Sequence, residues 1–335
     1  MPSFPTPAAI ALDSKVVMAD LPGRARVRVI GPDRAKFLHN LTTNDINRKT
    51  PGSGCEAFVT SPQGKTLGFI TLVILDDEIL LRTEAEGLPP ILPHLRKYGV
   101  LEEVELEEAT ASTFELHLAG PLVEEVMAAV GVERLPEGEL DHLAGHVAGK
   151  SVRLVRERPL GADGVTVIGA IEDAEAVRSA LTTAGEALGL AMLSAEAFEA
   201  FRIEAGTPAS GRDVTEKNLP QELDRNDRAI SFVKGCYLGQ ETVARLDALG
   251  HVNRLIRGLV IDAEPPPPGG SKLFAGDKEV GWIGSSAVSE RSGQPIALGY
   301  VRTSHMKPGS VVSVRDESGS EAPATVQGLP MGSRQ

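Results

Sequence analysis

The sequence predicts an α+β protein in which mixed α/β domains are followed by a small C-terminal β-barrel. The chain has 335 residues, which is long for a single hydrophobic core and favours two or three domains. Segments of period-two alternation are interleaved with segments of helical period, as expected for α+β layers. After the Pro- and Gly-rich stretch at 264–270, only short strands separated by Gly-containing turns follow, a pattern typical of a small barrel.

The N-terminal half gives the first elements of this order. Residues 1–23 contain three early prolines and no long apolar run, so we expect a loose N-terminus there. Residues 24–250 are expected to form the α/β region, with two subdomains that divide near 110–150. Its first part is predicted to contain strands at 24–30, within 55–84 and at 100–106, a helix from Asp33 and a helix at 88–98.

The second half repeats the alternation before the barrel begins. Strands are predicted at 113–120, 151–157 and 164–171, and helices at 121–131, 172–188, 194–206 and about 237–248. Ser194 has the residue type and position of an N-cap for the helix that follows it. Residues 251–330 are assigned to the barrel.

Charge and cysteine content limit the class of protein. The chain contains 34 Lys and Arg residues and 46 Asp and Glu residues, which gives a net charge of −12. This charge argues against a general surface for binding nucleic acids or anionic membranes. The two cysteines, Cys55 and Cys236, are too few for a disulfide framework, so a reducing compartment is expected. Without a secretory signal or an apolar run of about 18 residues, we expect a cytoplasmic protein. The oligomeric state is left open by the sequence.

The segment KGCYLGQETVAR, residues 234–245, is the strongest candidate site. Lys234 precedes Cys236 by two residues, and a helix starting at Tyr237 would place the thiol near a helix N-terminus. Both features favour the thiolate form of Cys236. Gly235 and Gly239 allow the backbone to approach a ligand closely. The alternative is a buried, inert cysteine, but the surroundings favour a functional thiol.

Other interpretations of this segment carry less support. A thiol hydrolase would need a positioned histidine, and His251, the nearest in sequence, has no evident link to Cys236. A metal site is disfavoured because no close-spaced pair of ligands accompanies the cysteines. Glu241 and Arg245 are four apart and form either an intrahelical ion pair or part of a ligand site. Gln240, next to Glu241, has a side-chain amide that can donate and accept hydrogen bonds at the edge of a flat heterocycle.

Two further segments contain polar groups near helix ends. In FRIEAGTPASGRD, Glu204 lies at a helix C-terminus, where the helix dipole disfavours a carboxylate. Glu204 is therefore either a solvated surface charge or a carboxylate that accepts hydrogen bonds from a ring N–H and an exocyclic amine, with Arg202 two residues away. The run FLHNLTTNDI is explained mainly by loop capping, with a ligand role as the alternative.

The residues of these segments resemble the YgfZ-type folate-binding proteins, relatives of the glycine-cleavage T protein. The K-G-C-[YF]-x-G-Q-E block of that family is matched by residues 234–241, and FLHNLTTNDI, RIEAGTPASGRD and LPQELD occur in the family's order. The resemblance implies an aminomethyltransferase-like fold around a central cavity, tetrahydrofolate or a derivative as cofactor, and iron–sulfur client enzymes, including some that modify tRNA. It implies Cys236 as the critical thiol and, as ligand-binding residues, Glu204, Arg202, Lys234, Gly235, Tyr237, Gly239, Gln240, Glu241 and Arg245.

The resemblance also bears on the reaction. The RIEAG segment is similar to the T-protein segment whose glutamate holds the pterin, which assigns that role to Glu204. The T protein has a key aspartate in a G-x-x-D turn, and Gly68 stands at the corresponding position. Because glycine has no side chain to polarise or deprotonate a substrate, the resemblance favours a folate-binding accessory protein. The alternatives are an aminomethyltransferase or demethylase and, less favoured, a scaffold with a vestigial cavity.

Overall fold

The computed structural model describes residues 4–316 and 319–332. The prediction of a loose N-terminus is wrong for most of residues 1–23. Helix α1, Pro7–Ser14, is capped by the Thr6 hydroxyl and buries Leu12, and strand β1, Val17–Asp20, pairs with two other strands. The apolar residues of these elements are buried against the second sheet, which holds the segment in place although its prolines suggest a loop.

The first sheet has five strands in the order β3-β4-β5-β2-β6. Its strands are β2 (Arg24–Ile30), β3 (Gly54–Thr60), β4 (Thr66–Ile74), β5 (Glu78–Glu84) and β6 (Glu105–Glu108). Helices α2, Arg34–Leu41, and α3, Leu88–Tyr98, bury apolar residues in the core of this sheet. The strand predicted at 100–106 is displaced to β6, because Val100 and Leu101 are exposed in the loop before it.

The second sheet has six strands in the order β11-β1-β7-β10-β9-β8. Its remaining strands are β7 (Thr113–Ala119), β8 (His142–Val147), β9 (Lys150–Arg156), β10 (Gly164–Ala170) and β11 (Ala191–Met192). Helices α4, Val123–Ala129, and α5, Ala174–Glu186, bury apolar residues in its core. After β1 the chain builds the first sheet, and it returns to the second sheet between β6 and β7.

Three helices connect this sheet to the barrel. They are α6 (Ala195–Ala205), α7 (Asn226–Ala229) and α8 (Gln240–Leu249). The predicted N-cap of α6 is confirmed, since the Ser194 hydroxyl accepts a 3.2 Å hydrogen bond from the Ala197 amide. Helix α8 begins later than predicted, at Gln240, because Gly239 has a φ of 86° and interrupts the helix. Cys236 therefore lies in the loop before α8 and not at its N-terminus.

The C-terminal unit is a closed six-stranded barrel in the order β12-β15-β14-β13-β16-β17, which confirms the predicted barrel. Its strands are β12 (Arg254–Ile261), β13 (Lys272–Ala275), β14 (Lys278–Val288), β15 (Pro295–Arg302), β16 (Val311–Arg315) and β17 (Glu321–Gln327). Apolar side chains from its strands fill the interior. Among the residues described, no helix combines the length and the apolar character that crossing a bilayer requires.

Candidate functional site

A polar cavity lies between the two sheets and is the principal candidate for a ligand site. Its water-accessible volume is about 40 Å³, below the roughly 300–1,000 Å³ of small-molecule sites, so a larger ligand requires the side chains at its mouth to move. Strands β2 to β5 form one wall, and loops at 139–140, 157–159 and 207–210 form the other. Five arginines and four glutamates line it, so its charged groups sum to +1: Arg24, Arg82, Arg158, Arg225, Arg228, Glu56, Glu84, Glu139 and Glu157.

A buried ion cluster forms the floor of this cavity. Arg82 on β5 is 0% exposed and makes two hydrogen bonds to Glu115 on β7, at 2.9 and 2.8 Å, and two to Glu157, at 3.1 and 2.8 Å. Burial alone would raise the pKa of Glu157, but the charge and hydrogen bonds of Arg82 outweigh burial and lower it. The pKa of Glu115 is lowered by the same balance. The cluster joins the two sheets and keeps both carboxylates ionised.

The mouth of the cavity carries arginines that are accessible from outside. Arg225 pairs with Glu56 at 2.5 Å and stacks over the Phe69 ring, 5.3 Å from its centroid. Arg228 bridges Glu56 at 2.7 Å and Glu139 at 2.8 Å. Guanidinium groups bind carboxylates bidentately and stack on flat rings. This rim can therefore receive an anionic ligand that contains a planar ring system.

Every glutamate that lines the described cavity is paired with arginine. Arg24 holds Glu84 at 3.1 Å, and the other three are paired as stated above. At Gly68 on β4, an added Cβ would overlap the Ile91 side chain and lie 3.1 Å from the Ser210 hydroxyl. The site at Gly68 is thus filled by its neighbours, and an acidic side chain there would require them to move.

Lys234 of the cysteine segment stabilises the end of helix α2. Its ammonium group donates to the carbonyls of His39, Thr42 and Asn44 at 2.5, 2.7 and 2.8 Å, and lies 4.6 Å from the Tyr237 ring centroid. Burial lowers the pKa of Lys234 to about 7, and the charge of Asp45 opposes the shift. The carbonyls at the end of a helix are otherwise unsatisfied, so this lysine fastens the cysteine loop to FLHNLTTNDI.

The rest of the cysteine segment docks on the turn between β3 and β4. An added Cβ at Gly239 would overlap the Ser61 carbonyl, and only glycine adopts its backbone conformation easily. The Thr242 hydroxyl donates to the Gln63 carbonyl at 2.9 Å. Three of the segment's predicted ligand residues lie on α8: Gln240, which is half-buried, and the exposed Glu241 and Arg245. The segment is thus held by contacts within the chain.

The two cysteines have opposite environments. Cys55 is buried on β3, and burial raises the pKa of its thiol to about 12. Cys236 is exposed in the loop before α8, so the interpretation as a buried, inert cysteine is wrong. His251 is also exposed, and its Nδ1 contacts the Leu249 carbonyl at 2.9 Å. Within the described residues, no cluster of three or more His, Cys, Asp or Glu side chains could hold a metal ion.

Arg202 and Glu204 contact the barrel. Arg202 donates to Asp213 at 2.8 Å and to Ser285 at 2.7 Å, and Glu204 accepts from Ser289 at 2.6 Å and from Arg291. Two expectations need correction: Glu204 is buried and not a solvated surface charge, and its carboxylate does not face the cavity freely. Arg291 offsets the unfavourable helix dipole. The pterin role of Glu204 stays a prediction that would require these contacts to open.

The structure separates the predicted site residues into two groups. Arg202 and Glu204 lie at the barrel contact, and residues 234–245 contact the end of α2 and the β3–β4 turn. Neither group is among the described residues that line the cavity. Sequence reasoning missed the cavity arginines, although Arg82 within the apolar strand ILLRTE was a detectable signal. His39 was considered only as part of the run FLHNLTTNDI, and the structure brings it next to Gly235.

Comparisons with known proteins agree with this architecture. Residues 8–234 match the family described as the GCVT N-terminal domain, and residues 254–331 match the glycine cleavage T-protein C-terminal barrel domain. Two α/β layers around a cavity, followed by a closed barrel, therefore define the class of protein. The chain belongs to the GcvT family.

Several relatives cover nearly the whole chain. An aminomethyltransferase of Streptomyces coelicolor is 27% identical over 97% of this chain and 89% of its own length. A putative chloroplastic transferase of Arabidopsis thaliana is 29% identical over 92% of this chain and 70% of its own length. The crystal structure of the glycine cleavage aminomethyltransferase T from Bartonella henselae has a TM-score of 0.80, at 20% identity, and covers 96% of this chain and 88% of that chain. That likeness shows a shared fold.

Proposed function

We propose that this protein binds a tetrahydrofolate-type ligand in the cavity between its two sheets. In this proposal it acts as a YgfZ-type accessory protein that supports iron–sulfur cluster assembly or repair in client enzymes, including tRNA-modifying ones. Cys236 is its essential thiol. Family membership and the arginine-lined cavity support the ligand, and the resemblance of residues 234–241 to the YgfZ-type block supports the accessory role.

The chemistry of the cavity suits a folate. A folate combines a flat pterin ring with a glutamate tail that carries two carboxylates. Arg225 and Arg228 at the mouth would exchange their contacts with Glu56 and Glu139 for the ligand carboxylates, and Phe69 would offer an aromatic face once Arg225, which now stacks over it, moves. We therefore place the tail at the mouth and the ring deeper, toward Arg82.

One observation favours the accessory role over aminomethyl transfer: the cavity offers no uncommitted acid among its described lining residues. General acid–base catalysis needs a group free to exchange a proton with the substrate. The four lining glutamates are paired with arginine, and the space at Gly68 is occupied by Ile91 and Ser210. The exposed Cys236 instead suits chemistry with a partner protein.

A second candidate function, aminomethyl transfer to tetrahydrofolate, is favoured by the names of the relatives. Several that cover most of this chain are aminomethyltransferases. Formation of methylene-tetrahydrofolate by the purified protein from a protein-bound aminomethyl donor would establish this candidate in place of the accessory role.

The ligand is tested by calorimetry with 5-formyltetrahydrofolate. Arg228→Gln is expected to weaken binding about tenfold, because a charge-assisted contact to a ligand carboxylate is lost. Arg315→Gln is the matched control, since Arg315 is a partly exposed, ion-paired arginine on the barrel. Equal affinities for the Arg228→Gln variant and the wild type would place the ligand elsewhere.

The accessory role is tested in cells that lack the gene. The wild-type protein and the Cys55→Ala control are expected to restore the activity of an iron–sulfur client that modifies tRNA. Cys236→Ala is expected to leave that activity at the level of the deletion, because the exposed thiol is absent. Full restoration by the Cys236→Ala protein would contradict the role assigned to Cys236.

A further inference from the structure

His39, on helix α2, borders the loop that carries Cys236. An added Cβ at Gly235 would lie 3.9 Å from His39 Nε2, and no other described residue apart from its chain neighbours comes within 4 Å. Cys236 is the next residue, and consecutive Cα atoms are about 3.8 Å apart. The ring is only 7% exposed. A nearly buried imidazole thus has one nitrogen at the edge of the exposed cysteine loop.

The surroundings of His39 favour Nε2 as the nitrogen that accepts a proton. The Asp45 carboxylate lies 3.3 Å from Nδ1, a charge contact that lacks the alignment of a hydrogen bond. A carboxylate at Nδ1 favours the tautomer with its proton there and leaves Nε2 as an acceptor. Burial and the charge of Lys234 lower the pKa of His39 from 6.5, and Asp45 opposes the shift. The ring is therefore mostly neutral at pH 7.

We propose that His39 is the general base for Cys236 and that Asp45 orients its ring, so that the three form a surface thiolate site separate from the cavity. Cys236 is free of a disulfide and exposed, so its side chain can change rotamer to meet Nε2. Contacts between nucleophile and base are often loose before the reacting complex forms. This assignment does not depend on folate binding or on the identity of the clients.

The site takes a soft electrophile, a carbon or sulfur centre that accepts a thiolate. The Cys236 S–H bond gives its proton to Nε2, which yields a thiolate and an imidazolium. The thiolate sulfur bonds to the electrophile, whose leaving group departs with the bonding electrons. The imidazolium then releases its proton to the leaving group or to water, which restores the neutral ring. Phe232 and Val233, both exposed, give a partner an apolar surface beside the thiol.

The test is the rate at which iodoacetamide alkylates Cys236 in the full-length protein, measured by mass spectrometry at pH 7 and pH 9.5. In this reaction an S–C bond forms and iodide leaves. His39→Gln is expected to slow alkylation about tenfold at pH 7, and Asp45→Asn several-fold. At pH 9.5 hydroxide from the solvent deprotonates an exposed thiol without a protein base, so both variants should react at nearly the wild-type rate.

His251→Gln is the matched control, because His251 is the histidine nearest to Cys236 in sequence and is expected to leave both rates unchanged. Cys55 reports on folding, since it is buried and reacts only if the chain opens. If the His39→Gln protein opens enough for Cys55 to react, the alkylation rate of the Asp45→Asn protein is the test of the proposal. Equal rates at pH 7 for the wild type and the folded variants, or an equal loss at both pH values, would overturn the proposal.

Discussion

Replacement of Arg82 by methionine is expected to lower the free energy of unfolding by about 3–5 kcal/mol at pH 7, because it leaves two buried carboxylates without their cation. Arg82 holds Glu115 and Glu157 across the two sheets through four hydrogen bonds. Chemical denaturation followed by circular dichroism measures the change. Arg28→Met is the matched control: Arg28 also pairs with two glutamates but is 40% exposed, so its loss should cost less than about 1 kcal/mol.

The cost of Arg82→Met is also expected to depend on pH. In the wild type the pKa values of Glu115 and Glu157 are lowered, so the cluster contributes stability above the unfolded-state pKa of about 4.3, and that stability is lost as pH falls toward the folded pKa values. Without Arg82, burial raises both pKa values and the carboxylates protonate in the folded state. The difference between variant and wild type should therefore shrink between pH 7 and pH 4. A difference that stayed constant would contradict the charge argument.

Arg202→Met is expected to have the second largest effect, about 3–5 kcal/mol of unfolding free energy. Arg202 joins α6 to the loop at Asp213 and to Ser285 on the barrel, and its side chain is 4% exposed. Its removal leaves the buried Asp213 carboxylate without its cation. The loss should appear as a lower midpoint in thermal and chemical denaturation, because the barrel is held less firmly to the α/β units.

Arg212→Met is the control for this prediction. Arg212 pairs with Glu199, which is also a partner of Arg202, but it is 37% exposed, so its removal should change stability little. Folate affinity per folded molecule should be the same for both variants. Loss of affinity at unchanged stability in the Arg202→Met protein would instead support the ligand role that the family resemblance assigns to Arg202.

Local patterns were sufficient to predict much of the fold. The alternation of RARVRVI, the Ser194 cap and the Gly- and Pro-rich turns after residue 264 correspond to β2, α6 and the barrel. The N-terminal strand β1 was missed because its structure depends on pairing with β7, a contact nearly 100 residues away in sequence. The start of α8 was misplaced because Gly239 is fixed by the Ser61 carbonyl, which no local pattern reveals.

The candidate sites could be predicted only in part. The segment around Cys236 is recognisable because its residue types are unusual together, but its exposure depends on the way Lys234 holds the loop to α2. The cavity arginines come from four separate regions of the chain, and only the packing of the two sheets brings them together. A carboxylate such as Glu204 has the same local sequence whether it faces a ligand or Arg291.

A crystal structure with 5-formyltetrahydrofolate tests the central claim most directly. The ligand is predicted to lie in the cavity between the two sheets, with its glutamate tail at Arg225 and Arg228 and with the Cys236 thiol outside the site, at the surface. A ligand bound against Cys236, or bound at Glu204 with the Arg291 contact broken and the cavity empty, would contradict this account.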